Sequence, residues 1–169
     1  MKCLAWSLVA SLVFAATAAS AQRVRLDDSL SLVDSHPVEL GWSQGQIDAA
    51  LQALVVGADD ALPPMSGRVP GVQVRLDTRA FVGRTARIYL SLPVSMSGVE
   101  NPADLELRWE AGGVFLPGSV RPGQATLVFE GVVEQDVTSV VFDFLLLLDN
   151  AGIGHSFTVE PFYEIEVLP

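Results

Sequence analysis

The chain has 169 residues and a formal net charge of −10, from 20 acidic residues against 10 lysines and arginines. This length fits a single domain with a sizeable core. The acidic balance argues against nucleic acid and anionic lipid as partners. The chain has a single cysteine, Cys3, so no disulfide framework is expected within it.

The first 21 residues have the pattern of a secretory signal peptide of bacterial type. Met1-Lys2 gives a positive start, residues 4–16 are apolar apart from two serines, and Ala19-Ser20-Ala21 fits an A-x-A cleavage site. We expect cleavage after Ala21 and export to the periplasm, the cell surface or the exterior. No integral membrane segment is expected after cleavage.

Cleavage would change the composition of the chain. Cys3 precedes the apolar segment instead of ending it, which argues against a lipoprotein. The mature chain, residues 22–169, would have no cysteine and no lysine. Nine arginines against twenty acidic residues would leave a net charge of −11. We expect it to form a single domain held together by ordinary burial of apolar side chains.

The N-terminal third of the mature chain predicts a strand, a helix and a loop. Val24, Leu26, Leu30 and Leu32 suggest a strand, which Asp27-Asp28 interrupts. A helix is predicted from about 44 to 56, because Ser43 to Gln46 fits a capping box and Gly57 ends the pattern. Its apolar residues recur at helical spacing: Ile47, Ala50, Leu51, Leu54 and Val55.

A loop is predicted at residues 59–67, which begin with Asp59-Asp60 and contain two prolines. Residues 22–67 would therefore form a strand-helix-loop extension packed on the rest of the domain.

From Val72 onward, apolar and polar residues alternate with a period of two. Gly, Pro and Asn turns separate the alternating segments, as in an antiparallel sandwich. We expect a mainly β fold, an antiparallel β-sandwich of about seven strands with an immunoglobulin-like Greek key order. The predicted strands after the loop are 72–78, 86–92, 105–109, 125–133, 138–148 and 156–168.

The most apolar of these segments, residues 140–148, is too short to cross a membrane as a helix and contains Asp143. As a strand it would direct Phe142, Phe144, Leu146 and Leu148 into the core. We also expect Trp109 in the core, on the face of Leu105 and Leu107.

The same alternation places Leu145 and Leu147 on the outward face of that strand. We expect the apolar stripe of the helix to cover them. The alternative is a partner chain, since exposed apolar patches mark interaction sites.

Arginines form a second candidate surface. Five of the nine lie between Arg68 and Arg87, and Arg75, Arg79 and Arg87 are predicted on outward faces of neighbouring strands. They could form a patch for an acidic ligand or glycan. Alternatively they could pair across strands with acids such as those at 160, 164 and 166. The interleaved Asp77 favours the ion pairs.

The sequence contains no convincing catalytic or metal-binding constellation. His36 and His155 lie beside turn residues, and no G-x-S-x-G elbow or H-x-x-x-H pair is present. Calcium ligands could come from Asp27-Asp28, Asp59-Asp60 or the turn Asp149-Asn150, but such a turn more often closes a hairpin. We expect no cofactor and no bound metal.

These observations favour an exported, non-catalytic module that binds another protein or copies of itself. The alternative is a carbohydrate- or small-ligand-binding domain that uses loops at one end of the sandwich. A hydrolase with Glu160 and Glu164 as paired carboxylates is disfavoured. Carboxyls on a solvated strand keep an ordinary pKa, whereas a general acid needs a raised one.

Overall fold

Two four-stranded antiparallel sheets pack face to face in the computed structural model, which describes residues 22–31, 40–55, 64–99, 101–149 and 157–169. The strand orders are β1-β8-β3-β6 and β2-β7-β4-β5. The described residues hold one α-helix, α1, at Gln44–Val55. The strands are β1 Val24–Arg25, β2 Met65–Asp77, β3 Thr85–Ser91, β4 Leu105–Ala111, β5 Gly118–Val120, β6 Ala125–Val132, β7 Val137–Leu148 and β8 Phe162–Val167.

Strand β7 confirms the predicted alternation. Phe142, Phe144, Leu146 and Leu148 are at most 8% exposed and face the opposite sheet. Trp109 on β4 is also buried as expected, and its indole N–H donates to the carbonyl of Leu116 at 2.9 Å. The bond satisfies the ring's one polar atom, so a large aromatic group can lie inside the core without a desolvation penalty.

Phe142 lies at the centre of an aromatic cluster that joins the two sheets. Its ring centroid is 5.3 Å from that of Phe144, 6.1 Å from that of Phe115 and 6.2 Å from that of Tyr163. Tyr163 comes from β8 in the other sheet and stacks on Phe142. Its buried hydroxyl has no hydrogen-bond partner among the described residues, and burial raises its pKa above the ordinary value.

Residues 22–31 connect the edges of the two sheets. The two residues of β1 pair with β8, so this strand pairs within its own chain. Leu26 is 4% exposed and its amide donates to Tyr163 O, while the amide of Asp77 on β2 donates to Asp27 O. The predicted strand therefore ends at Arg25, because the chain leaves one sheet for the other at the Asp27-Asp28 interruption.

Strand β2 begins earlier than predicted. Residues 65–67, expected in a loop, pair with β7 opposite Leu148, Leu147 and Leu146. On its other side Ser66 forms a bridge with Gly41. These neighbours supply the backbone hydrogen bonds that a loop would form with water. The local turn composition does not reveal that such neighbours exist.

The register of β2 on β7 shifts between Val69 and Val72. This irregularity explains why the apolar strand β7 contains a carboxylate, that of Asp143. Gly71 has φ +70° and its amide donates to Asp143 Oδ1 at 2.7 Å. A carboxylate among apolar residues thus binds the amide that the bulge removes from the ladder. Pro70, which has no N–H, lies in the same irregularity.

The bounds of the last strand and the number of strands also differ from expectation. The predicted strand 156–168 is β8 at Phe162–Val167. Eight strands are present among the described residues, against about seven expected, because the three-residue β5 was not foreseen. The predicted signal segment 1–21 and the residues of the N-terminal strand beyond Ser31 lie outside the described residues.

Helix α1 has the predicted capping box. The amide of Gln46 donates to Ser43 Oγ at 3.3 Å, and the amide of Ser43 donates to Gln46 Oε1 at 2.8 Å. Gln46 Nε2 also donates to Pro64 O, next to the start of β2. Across the described ranges, we find no helix with the length and apolar character needed to cross a bilayer.

We expect Phe142→Ala to lower the free energy of unfolding by about 3–5 kcal/mol, because it removes the ring at the centre of the inter-sheet cluster. Urea denaturation of both proteins measures the change. The control is Val141→Ala, whose side chain is 49% exposed on the other face of β7. Equal losses for the two variants would contradict this description of the core.

Candidate interaction surfaces

Leu145 and Leu147 lie on the outward face of β7, as predicted, and are half-buried there. Leu145 is opposite Arg68 of β2 and Arg108 of β4, while Leu147 is opposite Ser66 and Glu106. We call these residues the β7 outer patch: Ser66, Arg68, Glu106, Arg108, Leu145 and Leu147. Directly opposed side chains on one sheet face lie within contact distance, so the aliphatic parts of the arginines can shield the leucines.

Sequence reasoning missed Arg68, Glu106 and Arg108 as neighbours of the two leucines. Alternation alone places each on an outward face. Their meeting depends on β7 pairing with both β2 and β4, and on the register of each pair. A single sequence does not give that register.

Glu106 is the electrostatic centre of the patch. It accepts from Arg108 Nε at 2.7 Å and from Arg121 Nη2 at 3.1 Å. The Arg108 hydrogen bond is the largest cause of the lowered pKa of Glu106, with a smaller contribution from Arg121. Arg68 makes no ion pair with any other described residue. Within the described part of the chain, the leucines therefore lie beside one guanidinium group, that of Arg68, that has no ion-pair partner.

The helix does not bury its described apolar stripe. Ile47, Leu51 and Val55 are 38, 56 and 87% exposed. The expectation that this stripe covers Leu145 and Leu147 within one chain is wrong for these three residues. The side chain of Leu54, the remaining large member of the predicted stripe, is outside the described set.

The three arginines that the sequence places on one candidate surface lie apart in the structure. Arg75 lies on β2, where its backbone amide donates to Ser31 Oγ, and Arg79 lies in a 3₁₀ turn at Arg79–Phe81. Arg87 lies on β3 in the other sheet and pairs with Glu130 of β6 at 2.9 Å. Because they belong to different sheets and a turn, the three do not form one basic patch.

The outward face of the β3 sheet satisfies its own charges. Glu166 of β8 lies between Arg87, which opposes it in register, and Arg23, whose Nε is 3.8 Å from its carboxylate. Tyr89 donates its hydroxyl to Glu166 at 2.8 Å, and the guanidinium of Arg23 lies 3.8 Å from the Tyr89 ring centroid. This network leaves few groups for a charged ligand, in keeping with cross-strand pairing.

A groove of about 310 Å³ lies at one end of this sheet. Pro93 and Phe162 are among its apolar walls, and Gln124 and Glu164 are among its polar ones. The hydroxyl of Ser91, a residue only 3% exposed, donates to Glu164 at 3.0 Å. The volume of the groove falls near the lower end of the range for small-ligand sites.

No metal centre is formed by the residues that the structure describes: they contain no group of three His, Cys, Asp or Glu side chains close enough to hold an ion. Several candidates of the sequence lie outside the described residues, namely His36, His155, Asp59-Asp60 and Asn150. Glu160 and Glu164 lie four residues apart near β8, and the Glu164 carboxylate is engaged by Ser91.

No known family profile matches the chain, and no curated protein or solved structure shows significant similarity to it.

We expect the contribution of Glu106 to stability to depend on pH. Its pKa is lowered in the folded protein, so the stabilisation is present above its ordinary pKa of 4.5 and is lost as the pH falls through the lowered value. Denaturation of wild type and Glu106→Gln from pH 7 to pH 3 measures this. The stability difference should shrink below about pH 4.5. A constant difference across that range would contradict the assignment.

Proposed function

We propose that the protein is an exported, non-catalytic β-sandwich module that binds another protein or copies of itself, in the periplasm or at the cell surface. The observation that carries this proposal is apolar side chains that the described core does not take up. They are the half-buried Leu145 and Leu147 in the β7 outer patch and the exposed stripe of Ile47, Leu51 and Val55 on α1. Contiguous exposed apolar surface in a water-soluble domain is typical of an interaction site.

The polar chemistry of the described residues supports binding in preference to catalysis. Glu106, Glu130 and Glu166 are engaged with arginine or tyrosine partners on open sheet faces. The pKa of Glu106 and that of Glu130 are lowered, opposite to the shift that a carboxyl general acid needs.

For the finer fold class, we propose a variant of the immunoglobulin-like Greek key. In support, β3 pairs with β6 and β4 pairs with β7, as the four central strands of that fold do. The terminal strands differ from it. The last strand, β8, lies beside β3, and β2 takes the place beside β7. Export rests on the signal pattern of residues 1–21.

We expect the double variant Leu145→Ser/Leu147→Ser to stay folded and to lose association with its partner. Both leucines are only half-buried and lie on the face directed away from the inter-sheet core. Light scattering after size-exclusion chromatography, and pull-down from the native cell envelope, measure association. The matched control is Val82→Ser/Val132→Ser, two exposed positions away from the patch. A strictly monomeric wild type without a pull-down partner would refute the proposal.

The groove favours one second function, binding of a small neutral polyhydroxylated ligand such as a sugar. Arg23 and Glu164 place opposite charges at its rim, Gln124 adds an amide, and Phe162 offers an aromatic wall. Carboxylate and amide groups bind hydroxyls, while apolar walls pack on the C–H face of a sugar ring.

If the groove binds glycans, Glu164→Gln and Phe162→Ala should each weaken binding at least tenfold on a glycan array followed by calorimetry. Glu164→Gln removes the charged acceptor, and Phe162→Ala removes the aromatic wall of the groove. Glu134→Gln, at an exposed position outside the groove lining, should bind as wild type does. The absence of any ligand for the wild-type protein would eliminate this second function.

A further inference from the structure

The exposed stripe of α1 and the β7 outer patch have complementary charge. Asp48 is the one charged residue within Gln44–Val55, and it lies one position after Ile47 on the helix. The patch holds two leucines beside Arg108, which pairs with Glu106, and beside Arg68, which has no ion-pair partner among the described residues. An acidic, mainly apolar helix therefore suits a patch in which leucines are flanked by guanidinium groups, because the contact buries apolar surface and brings opposite charges together.

The spacings of the two surfaces also agree. Residues four apart on a helix rise by about 6 Å, and residues two apart on a strand rise by about 6.7 Å. Two consecutive stripe residues, such as Ile47 and Leu51, can therefore lie against Leu145 and Leu147 at once. The stripe is long enough for this contact, since it continues to Val55.

The attachment of the helix brings the two surfaces near one another. Gly41 pairs with Ser66 on β2, and Ser66 is directly opposite Leu147 on β7. Two strand spacings therefore separate the chain leading into α1 from Leu147, a distance of about 10 Å. In this structure the stripe is nevertheless exposed, so the patch of the same chain does not cover it.

We propose that α1 of one copy packs on the β7 outer patch of a second copy, and that the second copy reciprocates about a two-fold axis. The inference rests on the proposed function and names the partner for its site.

Reciprocity follows from the size of the contact. One 12-residue helix on a few strand residues is smaller than the standard interface of about 1,600 Å². Two-fold symmetry makes the contact twice and so doubles the buried area. We therefore expect a dimer that dissociates on dilution.

Cysteine cross-linking tests the contact directly, because in a Cys3→Ser background the chain contains no other cysteine. Leu51→Cys and Leu145→Cys are made separately on chains with tags of different size, then mixed and oxidised mildly. A disulfide requires Cβ atoms about 4 Å apart. We expect the mixture to yield a heterodimeric disulfide, while Val82→Cys mixed with Leu145→Cys yields none.

The double variant Leu51→Cys/Leu145→Cys separates two topologies on a non-reducing gel. Reciprocal packing gives covalent dimers, whereas a helix that folds onto its own sheet gives an internally linked monomer, which would overturn the proposal. Disulfides of Leu51→Cys only with itself, or of Leu145→Cys only with itself, would also overturn it. If light scattering still shows association in those cases, self-assembly stands and only the helix contact fails. A monomeric protein that gives no cross-link refutes both self-assembly and the helix contact.

Discussion

The stacking of Tyr163 on Phe142 is the contact on which the rest of the structure depends. These two rings come from opposite sheets and hold β8 against β7. The backbone carbonyl of Tyr163 also receives the amide of Leu26, so the N-terminal segment is fixed by the same residue. On the opposite face of β7, its register with β2 and β4 sets Leu145 against Arg68 and Arg108. The same strand thus carries both the core contact and the two leucines of the patch.

Local sequence carried enough information for the longer strands of the second half and for the helix, but not for the three-residue β5. Alternation along β7 identified its buried face because successive side chains of a strand point to opposite faces of its sheet. In a sandwich one of these faces is the core and the other is outward. The capping box identified the start of α1 because it satisfies amide groups within four residues. Both signals arise from neighbours in sequence, and both were correct.

Features that depend on distant partners were not predictable in this way. Residues 65–67 look like a loop in composition and become strand because Leu146 to Leu148 lie beside them. Arg87 was grouped with Arg75 by sequence proximity, yet the turn at Arg79–Phe81 carries the chain from one sheet to the other. Similarly, the role of Asp143 becomes visible only when Gly71, 72 residues earlier, is placed opposite it.

The outer edge of β2 limits how this protein can join another chain. At its ends, Ser66 is paired with Gly41, and Asp77 donates to Asp27 O. Between them lie Pro70 and the bulge, which interrupt the row of donors that an added strand would need. This longest strand is consequently a poor template for cross-β growth. The protein can therefore display leucines and an apolar helix face with less risk that encounters between copies propagate into fibres.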